Sequence, residues 1–309
     1  MSSENIYPAT SVILPTLSKG DVVSELSSQI REQDELLVVC DSEGDEIAKS
    51  DVFASNENIR LIVAGEPEGC SGKANAIFEG MNEAENNRVV WTDDDFHHPD
   101  NWLEALHEDC DKYGAVSELP FFIGQNPLGV VTEPIYALVM FVTWFEDQAW
   151  GGAVMFDRDT FNEEKFLKEL KSTIADDVLL SEHLDGETVR RTRRVKIDQT
   201  FKDSLERITR FMKHVRYHEP IKTIFLTIGF ILISIGCLVY PFESFLLSTT
   251  GFLGVYGFLG GRRPSFLLGY ASLLLFPFLS LYGLFRKDFV WRGRRYKYNS
   301  KLDIEILDR

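Results

Sequence analysis

The chain has 309 residues and a formal net charge of −16, from 32 Lys and Arg against 48 Asp and Glu. Its length suits about two domains, and 44% apolar content with four scattered cysteines excludes collagen-like, disulfide-framework and wholly disordered architectures. The charge is divided: residues 1–189 carry 39 acidic and 11 basic side chains and residues 190–309 carry 9 and 21, so the first part is unsuited to binding nucleic-acid phosphate.

The leading MSSENIYPATSV has neither a basic nor an apolar signal region, and no secretory signal is expected. Cys40, Cys70, Cys110 and Cys237 form no CxxC pair and read as buried small hydrophobes. Strands are predicted at 11–15 (SVILP), 35–40 (ELLVVC), 59–64 (IRLIVA) and 88–92 (RVVWT), β-rich runs bounded by turn residues or acids. Helical patterns intervene at 21–32, 72–85 and 99–112, the last opening on Pro99 and Asp100. Strand–helix alternation over the first ~115 residues predicts a parallel α/β sheet that binds ligands beyond the C-terminal ends of its strands.

The loops at those ends carry the chemistry. The third, GEPEGCSGKANAI (65–77), has Pro67 where a phosphate-binding P-loop needs Gly, and Lys73 is followed by Ala74 in place of Ser or Thr. No GxGxxG fingerprint is present. The fourth strand ends in TDDD, with Asp93, Asp94 and Asp95 consecutive. Carboxylates this close raise one another's pKa unless a cation holds them ionised, and hard oxygen ligands suit Mg2+ or Mn2+ completed by phosphate and water. A solvated acidic turn is the plainer explanation. His97, His98 and His107 read as capping or solvent-facing rather than as ligands.

Further on, PIYALVMFVTWF (134–145) is apolar but too short to span a bilayer, and suits core packing or the lining of a lipid entrance. Residues 201–220 alternate apolar side chains with Arg207, Arg210, Lys213 and Arg216, an amphipathic basic helix suited to the headgroup level. Residues 221–240 form a helix of about 30 Å, enough to cross a bilayer. Apolar stretches at 244–260 and at 265–285, interrupted by Pro277, complete three membrane segments. The second is rich in Gly, Ser and Thr and also suits a re-entrant or packed segment. Basic flanks before the first segment and after the last both favour the cytoplasm, which requires an even number of crossings, so the topology stays open.

SVILPT, VVCDSEGD, GKANAIFEG and VVWTDDDFHHPDNWL together resemble the nucleotide-sugar half of the family-two GT-A glycosyltransferases. LPF (119–121), VTEPIYAL (131–138), GGAVMFDRDTF (151–161), TIADDVLLSEHL (173–184) and LERITRFMKHVR (205–216) look like the ceramide glucosyltransferase type of that family. That type shows three separated Asp signatures and then a (Q/R)xxRW motif ahead of C-terminal membrane helices. Here the motif is Arg207-Ile208-Thr209-Arg210-Phe211, with Phe for Trp, and the type's N-terminal membrane anchor is missing.

The resemblance implies an α/β GT-A (Rossmann-like) domain over 1–200, the interfacial helix at 201–220, a transmembrane region at 221–285 and a basic cytoplasmic tail at 286–309. It implies that Asp41 binds the donor's nucleobase, and that Asp93 and Asp95 hold the ribose and a Mn2+ or Mg2+ ion bridging the diphosphate, with Asp94 sharing either task. Lys73, Arg207 and Arg210 assist the phosphates. Asp177 is the general base, although Asp176 and Asp177 also suit capping of the next helix. A phosphate acceptor needs no base, so a base favours a hydroxyl acceptor.

The expectation is therefore an inverting, metal-dependent hexosyltransferase on the cytoplasmic face of the cell membrane. It would use a nucleotide-sugar donor and a lipid-linked acceptor, and no nucleic acid. Members of the family from salt-loving archaea build dolichol-phosphate-linked glycans for surface-layer proteins, and the acidic excess suits a hydrated surface in high salt. The alternatives are a polysaccharide synthase, a ceramide-type glucosyltransferase and a catalytically silent membrane scaffold.

Overall fold

The computed structural model of the protein describes residues 7–54 and 56–308. Residues 1–6, which open the stretch read as lacking a secretory signal, lie outside the described residues. In chain order the elements begin with β1 (Thr10–Pro15), α1 (Val22–Ser27), β2 (Glu35–Cys40), β3 (Ile59–Val63), α2 (Gly72–Glu83) and β4 (Arg88–Thr92). Next come α3 (Trp102–Tyr113), β5 (Ala115–Gly124), α4 (Pro127–Phe145), β6 (Ala153–Asp157), α5 (Glu163–Leu170), α6 (Asp176–His183) and β7 (Gly186–Ile197). The remainder comprises α7 (Phe201–His218), α8 (Pro220–Val239), α9 (Pro241–Phe258), α10 (Gly269–Phe285) and the strands β8 (Phe289–Trp291), β9 (Arg294–Ser300) and β10 (Asp303–Asp308).

The chain divides into two compact units, Met1–Leu119 with Asp147–Val189, and Pro120–Glu146 with Arg190–Arg309. The reversal of charge between residues 189 and 190 falls on one of these boundaries. The expected division at residue 200 is not the one found, because residues 120–146 go with the later part of the chain and β7 is divided along its length.

In the first unit, every residue of β2 and β4 is buried. Central parallel strands are covered on both faces, which explains their continuous apolar runs. The strand order is β3-β2-β1-β4-β6-β5-β7. Strands β3, β2, β1 and β4 are parallel, with Val38 opposite Leu14 and Leu61, and Val12 opposite Val90. β6 then pairs antiparallel with β4, Val154 against Trp91, and with β5, Met155 against Val116. The sheet is thus mixed, where the alternating pattern of the first strands predicts a parallel one. Ile13, Leu37, Trp91, Phe156, Ile77, Phe166 and Leu180 form one buried cluster between the sheet and helices α2, α5 and α6. Gly80 lets α2 approach β1, since a Cβ there would stand 2.6 Å from Ile13 Cγ2.

In the second unit, Asn126 caps α4 through the N–H groups of Leu128 and Gly129, and its amide donates to Asp198, Thr200 and Ser204. This clamp starts α4 seven residues before the apolar run at 134, so the helix is long and apolar enough to cross a membrane, contrary to the reading of 134–145 as too short. Pro220–Val239 and Pro264–Phe285 also qualify by length and composition, whereas α9, which contains most of the expected segment 244–260, does not. A capping box of Thr200 and Asp203 opens α7, and Ile208 packs with Leu128 and Leu279. Fully buried Glu133 accepts hydrogen bonds from Arg263 Nε at 2.8 Å and from Ser265 and Tyr256. The basic tail is an antiparallel sheet, β10-β9-β8, with Phe289, Tyr296, Tyr298 and Ile304 buried. All four cysteines are free and buried, as expected.

Candidate active site

The site is built in the first unit around the start of α2. Ser71 caps that helix by accepting from Ala74 N–H at 3.0 Å, and its own N–H donates to Thr173 O at 3.0 Å. These two bonds tie the loop after β3 to the segment before α6 and set Lys73 in the first helical turn. Lys73 Nζ lies 2.7 Å from Asp93 Oδ1 and 3.4 Å from Asp176 Oδ2. Asp93 comes directly after β4, its N–H donating to Gly152 O at 3.1 Å. Asp94 accepts from Thr16 Oγ1, just beyond β1, at 2.6 Å. Asp41 is buried at the end of β2, so it shares with Asp93 the C-terminal edge of the parallel strands.

One lysine serves several carboxylates, and the electrostatics show it. Burial works against the Lys73 ammonium, yet Asp176, Asp93 and Asp177 together hold its pKa far above the usual lysine value. Burial raises the Asp93 carboxyl above its ordinary value, with Lys73 opposing and Asp176 and Asp94 adding to the rise. Asp176 is raised likewise by burial and by Asp177. The surplus negative charge and the hard oxygen donors fit a divalent cation. Among the described residues no three His, Cys, Asp or Glu side chains converge to hold a metal, so substrate oxygens and water must complete any shell that Asp93 and Asp95 begin.

Two glycines form the floor of this cluster. A Cβ on Gly151 would stand 2.7 Å from Asp176 Oδ2 and 3.4 Å from Lys73 Nζ. On Gly152 it would meet the Trp150 ring at 2.3 Å and Asp93 Oδ2 at 2.8 Å. Trp150 is held by its N–H to Ser117 Oγ at 2.8 Å and packs on Phe96, ring centroids 5.3 Å apart. Asp177 borders Gly151 too, its Cβ 3.4 Å from where a Cβ on that glycine would stand. It is only half-buried, and its Oδ1 accepts from Val178 N–H at 2.9 Å.

Of the sequence-predicted residues, Lys73, Asp93, Asp94 and Asp177 come together here, and Asp95 is exposed beside them in sequence. Arg207 and Arg210 lie on α7 in the second unit, where Arg207 Nε pairs with Asp198 Oδ1 at 2.7 Å. The histidines are engaged elsewhere: His97 with Glu25, His98 with Thr92, and His107 stacked on Tyr7. The sequence reading missed Asp176 as the second partner of Lys73, Thr16 as the donor to Asp94, and the Trp150-Gly151-Gly152 floor. The Gly pair opening an apolar strand was the available signal.

Residues 11–148 match the family model described as Glycosyl transferase family 2. That stretch, a little under half of the chain, is similar to the family-two glycosyltransferases. The matched stretch includes Asp41, Lys73 and Asp93 to Asp95, and ends before Gly151, Asp176 and Asp177, which border Lys73 through the packing of β6 and α6. No curated protein matches the chain. Among solved structures, a mycobacterial protein is 18% identical over 67% of this chain and 74% of that chain, with a TM-score of 0.39. Glucosyl-3-phosphoglycerate synthase from Mycobacterium tuberculosis, in complex with Mn2+, uridine diphosphate and glucosyl-3-phosphoglycerate, is 16% identical over 67% and 79%, TM-score 0.41. Mannosyl-3-phosphoglycerate synthase from Rubrobacter xylanophilus is 14% identical over 68% and 74%, TM-score 0.40.

Proposed function

We propose that the protein is a membrane-anchored, inverting glycosyltransferase that moves one hexose from a nucleotide-sugar to a hydroxyl of a lipid-linked acceptor of the dolichol-phosphate type. The observation that carries this reading is the joining of Asp93, Asp176 and Lys73 beside Gly151, with Asp177 half-exposed at its edge. Asp41 accepts from the nucleobase and Asp94 from the ribose. Lys73 supplies positive charge to the diphosphate. A Mn2+ or Mg2+ ion held by Asp95 and Asp93 neutralises the leaving diphosphate when bound.

The acceptor oxygen attacks the anomeric carbon as the bond from that carbon to the phosphate oxygen breaks, its electron pair leaving with the nucleoside diphosphate. Asp177 takes the hydroxyl proton. A single displacement inverts the anomeric configuration. Gly151 and Gly152 keep the floor low enough for a sugar to lie against the carboxylates.

Membrane anchoring is supported by α8, whose apolar side chains face outward: Phe225 is 72% exposed and Leu238 69%. In water such a surface aggregates; in lipid it is solvated. With α8 and α10 as the crossing pair, the basic segments 190–216 and 286–297 fall on one side, the cytoplasmic one.

The test supplies radiolabelled nucleotide-sugars to membranes containing the protein, with and without EDTA, and analyses the lipid extract. Metal-dependent labelling that Asp177→Asn abolishes, while donor binding survives, is the expected result. Equal labelling by Asp177→Asn removes the base assignment, and no labelling with any donor favours a scaffold.

A further inference from the structure

The loop after α9 is held from three sides. Gly260 closes the helix in the left-handed region at φ 69°, its N–H donating to Gly257 O at 3.3 Å while the Gly261 N–H donates to Tyr256 O at 2.8 Å, the pair of bonds that ends many helices on a glycine. Thr192 Oγ1 on β7 donates to Leu259 O at 2.8 Å, and Gly261 lies so near Phe121 on β5 that a Cβ there would stand 2.4 Å from the ring. Two residues on, Arg263 Nε donates to Glu133 Oε1 at 2.8 Å, and that buried carboxylate also accepts from Tyr256 and Ser265. All of these residues belong to the second unit. The direction of the Arg263 fork is therefore set by the fold.

The charge around this loop is mostly unmet. Among the described residues Arg263 is engaged through Nε alone, and its side chain is 33% exposed. Arg262 is exposed, and so is Arg190 on β7, whose guanidinium carbon lies 5.1 Å from the centroid of the Phe258 ring. Neither Arg262 nor Arg190 has a carboxylate within ion-pair distance among the described residues. The chain holds 48 acidic side chains against 32 basic ones, so arginines without an acid are not explained by a shortage of acids.

Apolar surface adjoins them. Phe258 packs on Phe141 and Trp144 near the end of α4, ring centroids 5.1 and 4.6 Å away. The same end of α4 leaves Val139, Val142 and Phe145 exposed, at steps of three residues along one stripe. Guanidinium charge beside an exposed apolar stripe matches an amphiphile with an anionic head and an apolar tail. A soluble anion has no use for the stripe, and a neutral lipid has none for the arginines.

We propose that Arg263, braced by Glu133, forms with Arg262 and Arg190 a binding site for the phosphate headgroup of an anionic phospholipid whose acyl chains lie along the exposed stripe of α4. The inference rests on the membrane-anchored reading and adds to it a lipid of stated charge. It draws on no residue of the proposed transfer site.

The experiment purifies the full chain in a neutral detergent, adds dioctanoyl phosphatidylglycerol or dioctanoyl phosphatidylcholine, and counts retained lipid by native mass spectrometry. Wild-type protein retains phosphatidylglycerol preferentially, and Arg262→Gln and Arg190→Gln each weaken that retention roughly fivefold. Arg263→Gln loses more, and Arg263→Lys falls between, since it restores the charge without the two-pronged contact. Should Arg263→Gln not fold, Arg262→Gln and Arg190→Gln carry the test: neither side chain has an ion pair to lose, and their thermal midpoints without lipid stay within about 2 °C of wild type. Retention that these variants leave unchanged, equal retention of both lipids by wild type, or displacement of phosphatidylglycerol by inorganic phosphate overturns the inference alone. A dimer in lipid-free detergent that the same variants dissociate assigns the surface to a second copy and also overturns it. Wild-type protein that retains neither lipid overturns the membrane-anchored reading and this inference with it.

Discussion

Lys73 Nζ stands 2.7 Å from Asp93 Oδ1 and 3.4 Å from Asp176 Oδ2, so one ammonium joins the first turn of α2, the end of β4 and the first residue of α6. Removing it leaves two carboxylates facing each other in a buried setting. Lys73→Met is expected to cost about 2–4 kcal/mol at neutral pH. Asp93 and Asp176 already have raised pKa values. A carboxyl with a raised folded-state pKa favours the fold most when protonated and opposes it as pH rises through that value. The destabilisation of Lys73→Met therefore fades as pH falls, and a thermal midpoint tracked against pH reads it. A deficit that stays constant down to the ordinary carboxylate range removes the carboxylate explanation.

Gly152→Ala places a methyl 2.8 Å from Asp93 Oδ2 and 2.3 Å from the Trp150 ring. Either the ring or the carboxylate must move, at a cost of about 1–3 kcal/mol. Transfer activity is expected to fall more than tenfold, the factor that corresponds to about 1.4 kcal/mol, with a crystal structure or Trp fluorescence showing Trp150 displaced. Full activity with an unmoved ring contradicts the floor assigned to this glycine.

His107 is buried against Tyr7, with ring centroids 4.6 Å apart, and its Nδ1 lies 3.4 Å from Arg88 Nη1. Burial, aided by Arg31 and Arg88, lowers its pKa from 6.5 to about 4. The unfolded chain thus binds this proton more readily between those values. The stability contributed by neutral His107 is complete above pH 6.5 and is lost as pH falls toward 4, by about 3 kcal/mol. His107→Phe removes that slope from the stability–pH curve, and a slope of the same size in the variant assigns it to other groups.

Glu133 is buried on α4 and holds Arg263, Ser265 and Tyr256. Glu133→Leu leaves the guanidinium without this partner and is expected to cost about 2–4 kcal/mol, with Glu133→Gln costing less because an amide still accepts hydrogen bonds. Thermal midpoints in detergent rank the two. Midpoints of both variants equal to that of the unsubstituted chain mean that Glu133 contributes nothing to the link between α4 and residues 256–265.

The parallel strands were legible because strands covered on both faces carry continuous apolar runs, as β2 does in LLVVC and β4 in VVW. The carboxylates after β4 were legible because a run of like charges at a strand end needs a physical reason. The antiparallel β6 was not, since AVMFD is an apolar run whose partner depends on residues far away in the chain. The length of α4 was hidden by Pro127, Gly129 and Glu133, which read locally as turn and polar residues; Asn126 caps the helix and Arg263 and Ser265 satisfy the acid. The tail read as a basic tail without strands because its Arg and Lys residues outnumber Phe289, Tyr296, Tyr298 and Ile304, the side chains that bury.

By itself the sequence determined the properties that neighbouring residues set between them: strand and helix periods, the acids at strand ends, the apolar lengths, and the reversal of charge at residue 190 that falls on a unit boundary. Tertiary structure decided the pairings. Asp176 and Asp177 are adjacent and chemically identical, yet Asp176 turns to Lys73 while Asp177 accepts from the Val178 N–H. Trp291 meets Arg210 across most of the second unit's sequence. Periodicity is a property of consecutive residues, whereas a carboxylate's partner and an arginine's plane depend on distances in space, which exist only once the chain has folded.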